Sequence, residues 1–554
     1  MRAGHLGAEL RGADLVEVRW GALEIVSAVQ VTVRDERWGT VRPTVRRAEV
    51  REDAEGFRVD IEATHGDDFS WRGTVTGSAD GTLDIDVDGM AERDFVYRRI
   101  GICVLHPWET YVGARFEADG VGARTAGTFP REIAPQPLVD GQYRAMVPAF
   151  AQLEVAFDHG TRVDFTFSGE ADGWELEDQR NWTDASFKTY PTPLRRSVPR
   201  TLHRGERLRQ TLRIRIVGDA TAPEPDDGPV VLQMGDPGER TAPSVGLTAP
   251  LGTDVDLSRI RALSPAHLRV VADVAGDLEV LSRAAALATD AGVPLEVALL
   301  LDDDEDGGRL ARVVRALGDP PIVRFMLLRR SGATAGGAFV SRLRPHLGQL
   351  ASAPMGGGTA SHFSELNRAE PDPSGLDALA FAVSPQVHEA DDASIMRTLE
   401  IQPQVGARVR HLAAGAEVVI SPLTLAAHDP AAPDDAIDAR VGSDLAAAWT
   451  VGSVCGLATV GVGSLTLHEC ADLTVLASAP LARAFKLLSM RTGRKLDALE
   501  ISDRRRVSAL GTESMPLLLA NLTPYPQEVR VEWTNAGSRV LRPYEVAEVD
   551  RSPR

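Results

Sequence analysis

The sequence predicts a multidomain α/β plus β protein: a central (β/α)8 barrel of the TIM type, preceded by an antiparallel β-sandwich and followed by a small β-domain. Three observations predict it. Short apolar–polar alternation fills the chain from Leu15 to about Val217, eight apolar runs then alternate with helical segments, and strand-like alternation returns after about Glu513. A chain of 554 residues also exceeds what one hydrophobic core supports, because single cores stop growing well before that length.

In the first domain, 1–220, runs such as Leu83-Asp84-Ile85-Asp86-Val87-Asp88 and Arg162-Val163-Asp164-Phe165-Thr166-Phe167 turn one face inward and one to water. The stretch from Asp84 to Gly89 mimics the start of a calcium loop. Phe95, however, stands where a bidentate Glu would be needed, so the stretch reads as a solvated strand face. Asp219-Ala-Thr-Ala-Pro-Glu-Pro-Asp-Asp-Gly-Pro229 has the composition of a linker and no periodicity. Barrel strands are expected at 244–247, 268–274, 295–301, 322–328, 353–356, 380–384, 417–420 and 459–465, within a domain spanning 230–490. Apolar residues at helical spacing place helices at 277–289, 305–317 and 394–412. The alternation in Leu517-Leu-Leu-Ala-Asn-Leu522 and Val529-Arg-Val-Glu-Trp533 assigns 510–554 to a C-terminal β-domain.

A formal charge of −19 argues against nucleic acid as a partner, since that affinity comes from Lys and Arg neutralising phosphates. No apolar stretch is long enough to span a bilayer, and the start MRAGHLGAELRGADL lacks the parts of a signal peptide, so no membrane association and a cytoplasmic location are expected. Cys103, Cys455 and Cys470 are too few for a disulfide framework.

In such a barrel the active site forms at the C-terminal ends of the strands, so polar residues just past each run are the first candidates. After the fifth run comes Gly356-Gly-Gly-Thr-Ala-Ser-His362-Phe-Ser-Glu365-Leu-Asn367-Arg368; after the sixth, Ser384-Pro-Gln386-Val-His388; after the seventh, Ser421-Pro-Leu-Thr424; after the eighth, Thr466-Leu-His468-Glu469. Glu365 and Glu469 form a carboxylate pair, one to take a proton from water while another acid or His388 returns one to the departing oxygen. The glycine triplet marks a tight turn or a close backbone approach, since no Lys follows it as in a phosphate cradle. His362, Glu365 and His388 lack compact metal-ligand spacing; no cofactor is expected, and a divalent metal is left open. Without a Gly-x-Ser-x-Gly elbow, water is the expected nucleophile.

The densest polar and aromatic segment, Glu177-Asp-Gln-Arg180-Asn181-Trp182-Thr-Asp184-Ala-Ser-Phe-Lys188-Thr-Tyr190, lies before the barrel. Its mixture of donors and acceptors suits a polyhydroxylated ligand, and equally a buried polar network pinning the β-domain onto the barrel. His106, before Pro107, is either a ligand contact or a packing residue at a strand end.

That segment resembles the signature of the D-apionate lactonase family. Arg34-Asp-Glu-Arg-Trp-Gly-Thr40, Ile100-Gly-Ile-Cys-Val-Leu-His-Pro107, Phe363-Ser-Glu-Leu-Asn-Arg368 and Ser384-Pro-Gln-Val-His388 support the resemblance. It implies a β-domain, a barrel and a second β-domain, and hydrolysis of the five-membered lactone of the branched sugar acid D-apionate during apiose breakdown. Its partner would be a small sugar lactone or sugar acid; homo-oligomerisation is left open. The site residues follow from position and chemistry: Glu365, Glu469 and His388 as catalytic, and Asn367, His362, Arg180, Asn181, Trp182, Asp184, Lys188 and His106 as substrate-binding. Glu365 or Glu469 would activate water, and His388 with Arg180 or Asn367 would stabilise the carbonyl oxygen. Looser matches at Glu389-Ala-Asp-Asp392 and Leu465-Thr-Leu-His468 leave room for another lactone or sugar substrate. Two readings compete with this one: a glycoside hydrolase using Glu365 and Glu469, and a non-catalytic carbohydrate-binding relative.

Overall fold

The computed structural model describes residues 1–120, 124–170, 172–196, 199–220, 228–236, 238–252, 255–305, 307–428, 437–468, 480–533 and 538–550. The chain divides into two compact units, one of Met1–Asn181 with Ala185–Asp227 and one of Trp182–Asp184 with Gly228–Arg554. Among the described residues no helix is long and apolar enough to cross a membrane.

The first unit is built on antiparallel strands, joined into one sheet system apart from the separate hairpin of Leu138–Val139 and Gln142–Tyr143. Its pattern is the one alternation demands: Arg207–Val217 switches between exposed and buried at every residue. The buried set includes Phe57, Trp71, Phe165, Phe167, Trp174 and Phe187. The calcium-like stretch lies in the strand Thr82–Ala91, and Asp84 and Asp88 pair across to Arg213 and Arg207 at 2.6 and 2.5 Å. That is a solvated strand face.

The polar segment forms two strands, Trp174–Asp178 and Ser186–Pro191, paired antiparallel and joined through the 3-10 turn Gln179–Trp182. Arg180 has no exposed side-chain surface. Its guanidinium forks onto Asp178 at 2.8 and 2.7 Å and donates to the carbonyls of Pro130 and Arg131 at 2.8 and 3.2 Å. Asn181 donates from Nδ2 to the Ala134 carbonyl at 2.8 Å. These two residues fasten the 130–134 segment inside the first unit. The Lys188 ammonium, also buried, lies 5.4 Å over the Tyr190 ring and makes no hydrogen bond or ion pair among the described residues.

His106 ends as a core residue, which corrects its expected ligand contact. It is completely buried, with its ring 4.9 Å from Tyr111 and 5.1 Å from Phe165, and Nε2 is 2.7 Å from Thr189 Oγ1. Burial pulls its pKa down to about 3.

In the second unit eight parallel strands close a barrel: β1 (Ser244–Thr248), β2 (Leu268–Asp273), β3 (Leu295–Leu301), β4 (Ile322–Arg329), β5 (Met355–His362), β6 (Ala378–Val383), β7 (Glu417–Leu423) and β8 (Ser464–Leu467). The glycine triplet lies inside β5 and not beyond it. A Cβ at Gly357 or Gly358 would collide with the carbonyl oxygen of Ala335 or Ala380, so glycine lets β5 sit flush against its own neighbours. The expected eighth strand began too early, because residue 459 ends the helix Asp444–Thr459. Val230–Met234 does not belong to the barrel: it pairs parallel with Gln527–Val531 and antiparallel with Leu499–Ile501. Those strands and Val507–Leu510, Leu517–Asn521 and Val546–Val549 enclose a separate apolar core containing Leu232, Leu517, Leu519 and Val529.

The N-terminal end of the barrel carries a buried charge network. Glu296, near the start of β3, has no exposed surface; it accepts from Ser421 Oγ at 2.5 Å and faces Arg324 Nε at 3.3 Å. Arg324 reaches on to Glu417 at 2.5 Å and to Ser464 Oγ at 2.9 Å. His267 sits beside them with Nε2 2.8 Å from Thr466 Oγ1. Burial pulls its pKa down to about 4, with Glu296 opposing and Arg324 and Arg269 adding to the shift.

His106 and His267 are therefore neutral in the fold and charge more readily when unfolded. A lowered histidine pKa leaves stability intact above the unfolded value near 6.5 and removes it as pH falls, down to about 3 for His106 and about 4 for His267. Within those windows each is expected to cost about 1.4 kcal/mol per pH unit. Denaturant unfolding followed from pH 7 to 4 checks this: His106→Gln and His267→Gln chains are expected to lose less stability over that range than the parent, and equal slopes would refute it.

Candidate active site at the C-terminal mouth of the barrel

Because all eight strands run the same way, their C-terminal ends deliver loops to one rim. After β6 the chain turns through Ser384, Pro385, Gln386 and Val387 to His388, and that turn is fixed from several sides. Ser384 Oγ donates to the Ala426 carbonyl at 2.6 Å and accepts from the Gln386 backbone N–H at 3.2 Å. The Gln386 amide donates to the Leu425 carbonyl and to Asp438, each at 2.6 Å. Asp438 is forked by Arg440 at 2.8 and 2.7 Å, and Arg440 also donates to the Ala390 carbonyl at 2.7 Å. Burial pushes the Asp438 carboxyl up, but Arg440 and Gln386 more than offset it and hold its pKa near about 2. His388 is thus carried on a braced loop, which is what a group of defined orientation requires.

The partner of His388 comes from far away in the chain. Its Nδ1 bonds to Asp184 Oδ2, the two side chains being 19% and 17% exposed. Trp182 meets the imidazole edge-on at 5.9 Å. Thr183, between them, takes a positive φ of 67° and donates from Oγ1 to the Ser384 carbonyl at 3.2 Å. Trp182–Asp184 therefore belongs to the barrel's own compact unit. A carboxylate on Nδ1 favours the tautomer with its proton there and leaves the lone pair on Nε2, the arrangement of a general base.

The three regions of the chain match three domain descriptions: D-apionate lactonase N-terminal domain over residues 1–219, D-apionate lactonase TIM barrel domain over 249–480, and D-apionate lactonase C-terminal immunoglobulin-like domain over 504–549. The chain belongs to the D-apionate lactonase family. The D-apionate lactonase of Brucella anthropi is 27% identical, covering 100% of this chain and 97% of its own. Among solved structures, an α-L-arabinofuranosidase of Thermotoga maritima aligns at 10% identity over 55% of this chain and 88% of that one, with a TM-score of 0.37. A β-arabinopyranosidase aligns at 9% identity over 99% and 97%, with a TM-score of 0.29.

Within this D-apionate lactonase family fold, the structure gathers only part of the expected site. His388, Asp184 and Trp182 meet. His362, at the end of β5, instead faces His428 at 5.5 Å with the rings nearly perpendicular, and His428 Nε2 is 2.7 Å from the Ala360 carbonyl. Glu365 stands in the first turn of the helix Phe363–Ala369, 41% exposed and paired to Arg368 at 2.6 Å. Asn367 is fully buried and accepts from Arg408 Nε at 2.9 Å, joining that helix to the helix Gln402–Ala413. Glu469 lies outside the described residues, as does Cys470. Among the described residues no three His, Cys, Asp or Glu side chains group as metal ligands.

Sequence reasoning missed Asp438, Arg440 and His428. Asp438-Ala-Arg440 carried a signal, two opposite charges two residues apart shortly before the helix Asp444–Thr459, but such pairs are usually solvated. His428 followed Thr424 by only four residues and was within reach of the same reading.

Proposed function

We propose that this protein hydrolyses the lactone of a sugar acid, D-apionolactone being the first substrate to test, with His388 as the base and Asp184 as the residue that orients it. The Asp184–His388 pair at the barrel mouth carries the reading, and similarity over the whole length of a D-apionate lactonase supports the substrate class. His388 Nε2 takes a proton from water as the water oxygen bonds to the lactone carbonyl carbon, and the carbonyl oxygen gains the charge. On collapse the ring C–O bond breaks. The departing ring oxygen takes the proton back from His388, giving a hydroxy acid. Trp182 shields the imidazole and offers an apolar face to a sugar ring.

Acid release from a panel of aldonolactones, with and without chelator and beside aryl glycosides, tests the reaction class. Lactone opening without glycoside cleavage is expected; the reverse would replace the proposal with a glycosidase. Glu365→Gln is expected to keep kcat/KM within about threefold, because its carboxylate is engaged by Arg368 and faces solvent. A loss of about 100-fold or more in that variant would move the base to Glu365.

A further inference from the structure

The first unit holds a cavity of about 240 Å3, lined by Tyr143, Arg144, Ala149, Phe150, Glu175 and Arg195 among others. Its origin is a break in strand pairing. Val147–Ala156 pairs with Trp174–Asp178 through Val147↔Leu176 and Phe150↔Trp174, and the two residues between, Pro148 and Ala149, bulge out of register opposite Glu175. The volume lies below the roughly 300 Å3 at which drug-sized pockets begin, so it suits a single small molecule.

The lining is chemically specific. Glu175 is 4% exposed, yet its compensation is incomplete: Oε2 accepts from the Leu194 backbone N–H at 2.5 Å, and the nearest guanidinium, Arg99, stands 3.9 Å off and bonds Glu177 at 2.6 Å instead. Among the described residues Glu175 Oε1 takes no hydrogen bond. Burial raises the pKa of this carboxyl, as expected for a charge short of donors. Arg144 and Arg195 place two cations on the same cavity, outnumbering the one carboxylate, and Tyr143 and Phe150 give it aromatic wall. Tyr143 belongs to the hairpin of Leu138–Val139 and Gln142–Tyr143, whose apolar side chains are exposed.

We infer that this cavity is a second ligand site, distinct from the barrel mouth, that takes a small polyhydroxylated carboxylate. A hydroxyl of the ligand donates to Glu175 Oε1, its carboxylate faces Arg144 and Arg195, and its carbon chain rests on Tyr143 and Phe150. The inference needs no catalytic role for His388. A sugar acid of the class released by lactone opening fits the site, which then reports the level of such acids.

Calorimetric titration of the full chain with D-ribonate, D-ribose and acetate tests it. Ribonate is expected to bind at least about tenfold more tightly than either partial mimic, and Arg195→Ala, an exposed change, to weaken it by about tenfold or more. Glu175→Gln is expected to do the same, and if that chain fails to fold, Arg195→Ala decides together with Thr125→Trp, which fills the cavity from another of its lining residues. The Arg195-dependent event is expected to persist in His388→Ala, and Arg195→Ala to leave lactone hydrolysis within about twofold. Absence of ribonate binding, or binding that ignores both Arg195→Ala and Thr125→Trp, overturns the site. Full lactonase activity in His388→Ala would instead overturn the proposed mechanism and leave this site standing.

Discussion

Asp184→Asn is expected to lower kcat for lactone opening by about 10²- to 10⁴-fold with little change in KM. Asparagine preserves the size of the side chain and its place beside Trp182 and His388, but its amide can donate to Nδ1. That reverses the tautomer and puts the proton on Nε2, where a base needs its lone pair. Removing the imidazole itself, in His388→Ala, is expected to cost at least as much, and the double variant little more than either alone, since the two act as one unit. Steady-state kinetics of the three variants decide it. Additive losses would mean that Asp184 and His388 contribute separately, and wild-type kcat in Asp184→Asn would remove the pair from the chemistry.

Arg180→Ala is expected to destabilise the first unit by roughly 3–5 kcal/mol, the usual cost of stripping one partner from a buried ion pair. The loss leaves Asp178 buried, with its pKa already raised by that burial and restrained by Arg180, and leaves the carbonyls of Pro130 and Arg131 short of donors. For a domain of this size the change corresponds to about 6–20 °C in the melting transition. Differential scanning calorimetry checks it. An unchanged transition accompanied by a raised KM would return Arg180 to the role of a ligand contact.

The fold was legible where local pattern and tertiary environment agree. Leu295–Leu301 reads as one apolar run because both faces of a barrel strand are buried, and its bounds came out as expected. β5 did not, since Gly356, Gly357 and Gly358 have loop composition while their real constraint is contact with Met326, Ala378, Ala335 and Ala380, invisible along the chain. Helix Asp444–Thr459 is buried nearly all round, so it has no apolar stripe to mark where helix ends and strand begins. The barrel domain was drawn from residue 230, yet Val230–Met234 pairs with Leu499–Ile501 and Gln527–Val531, which lie at the other end of the sequence.

The site was legible as a set of segments more than as a set of roles. The stretch from Glu177 to Tyr190 announced itself by composition, but the 3-10 turn at Gln179–Trp182 decides that Arg180 and Asn181 point into the first unit's interior while Asp184 meets His388. No spacing rule links residues 204 positions apart. Glu296 and Arg324 did carry a usable signal, a charge inside an otherwise apolar strand, which marks a buried partner more often than a solvated one.

The positive φ at Thr183 has an evolutionary side. The eight-stranded ring is encoded after Gly228, but the carboxylate bonded to its His388 is encoded before it, on the three-residue segment Trp182–Asp184. A barrel excised at the linker would keep every strand and lose the Asp184 partner of His388. Exchange of barrels between relatives would have to carry this short excursion along, which ties the inheritance of the two halves together.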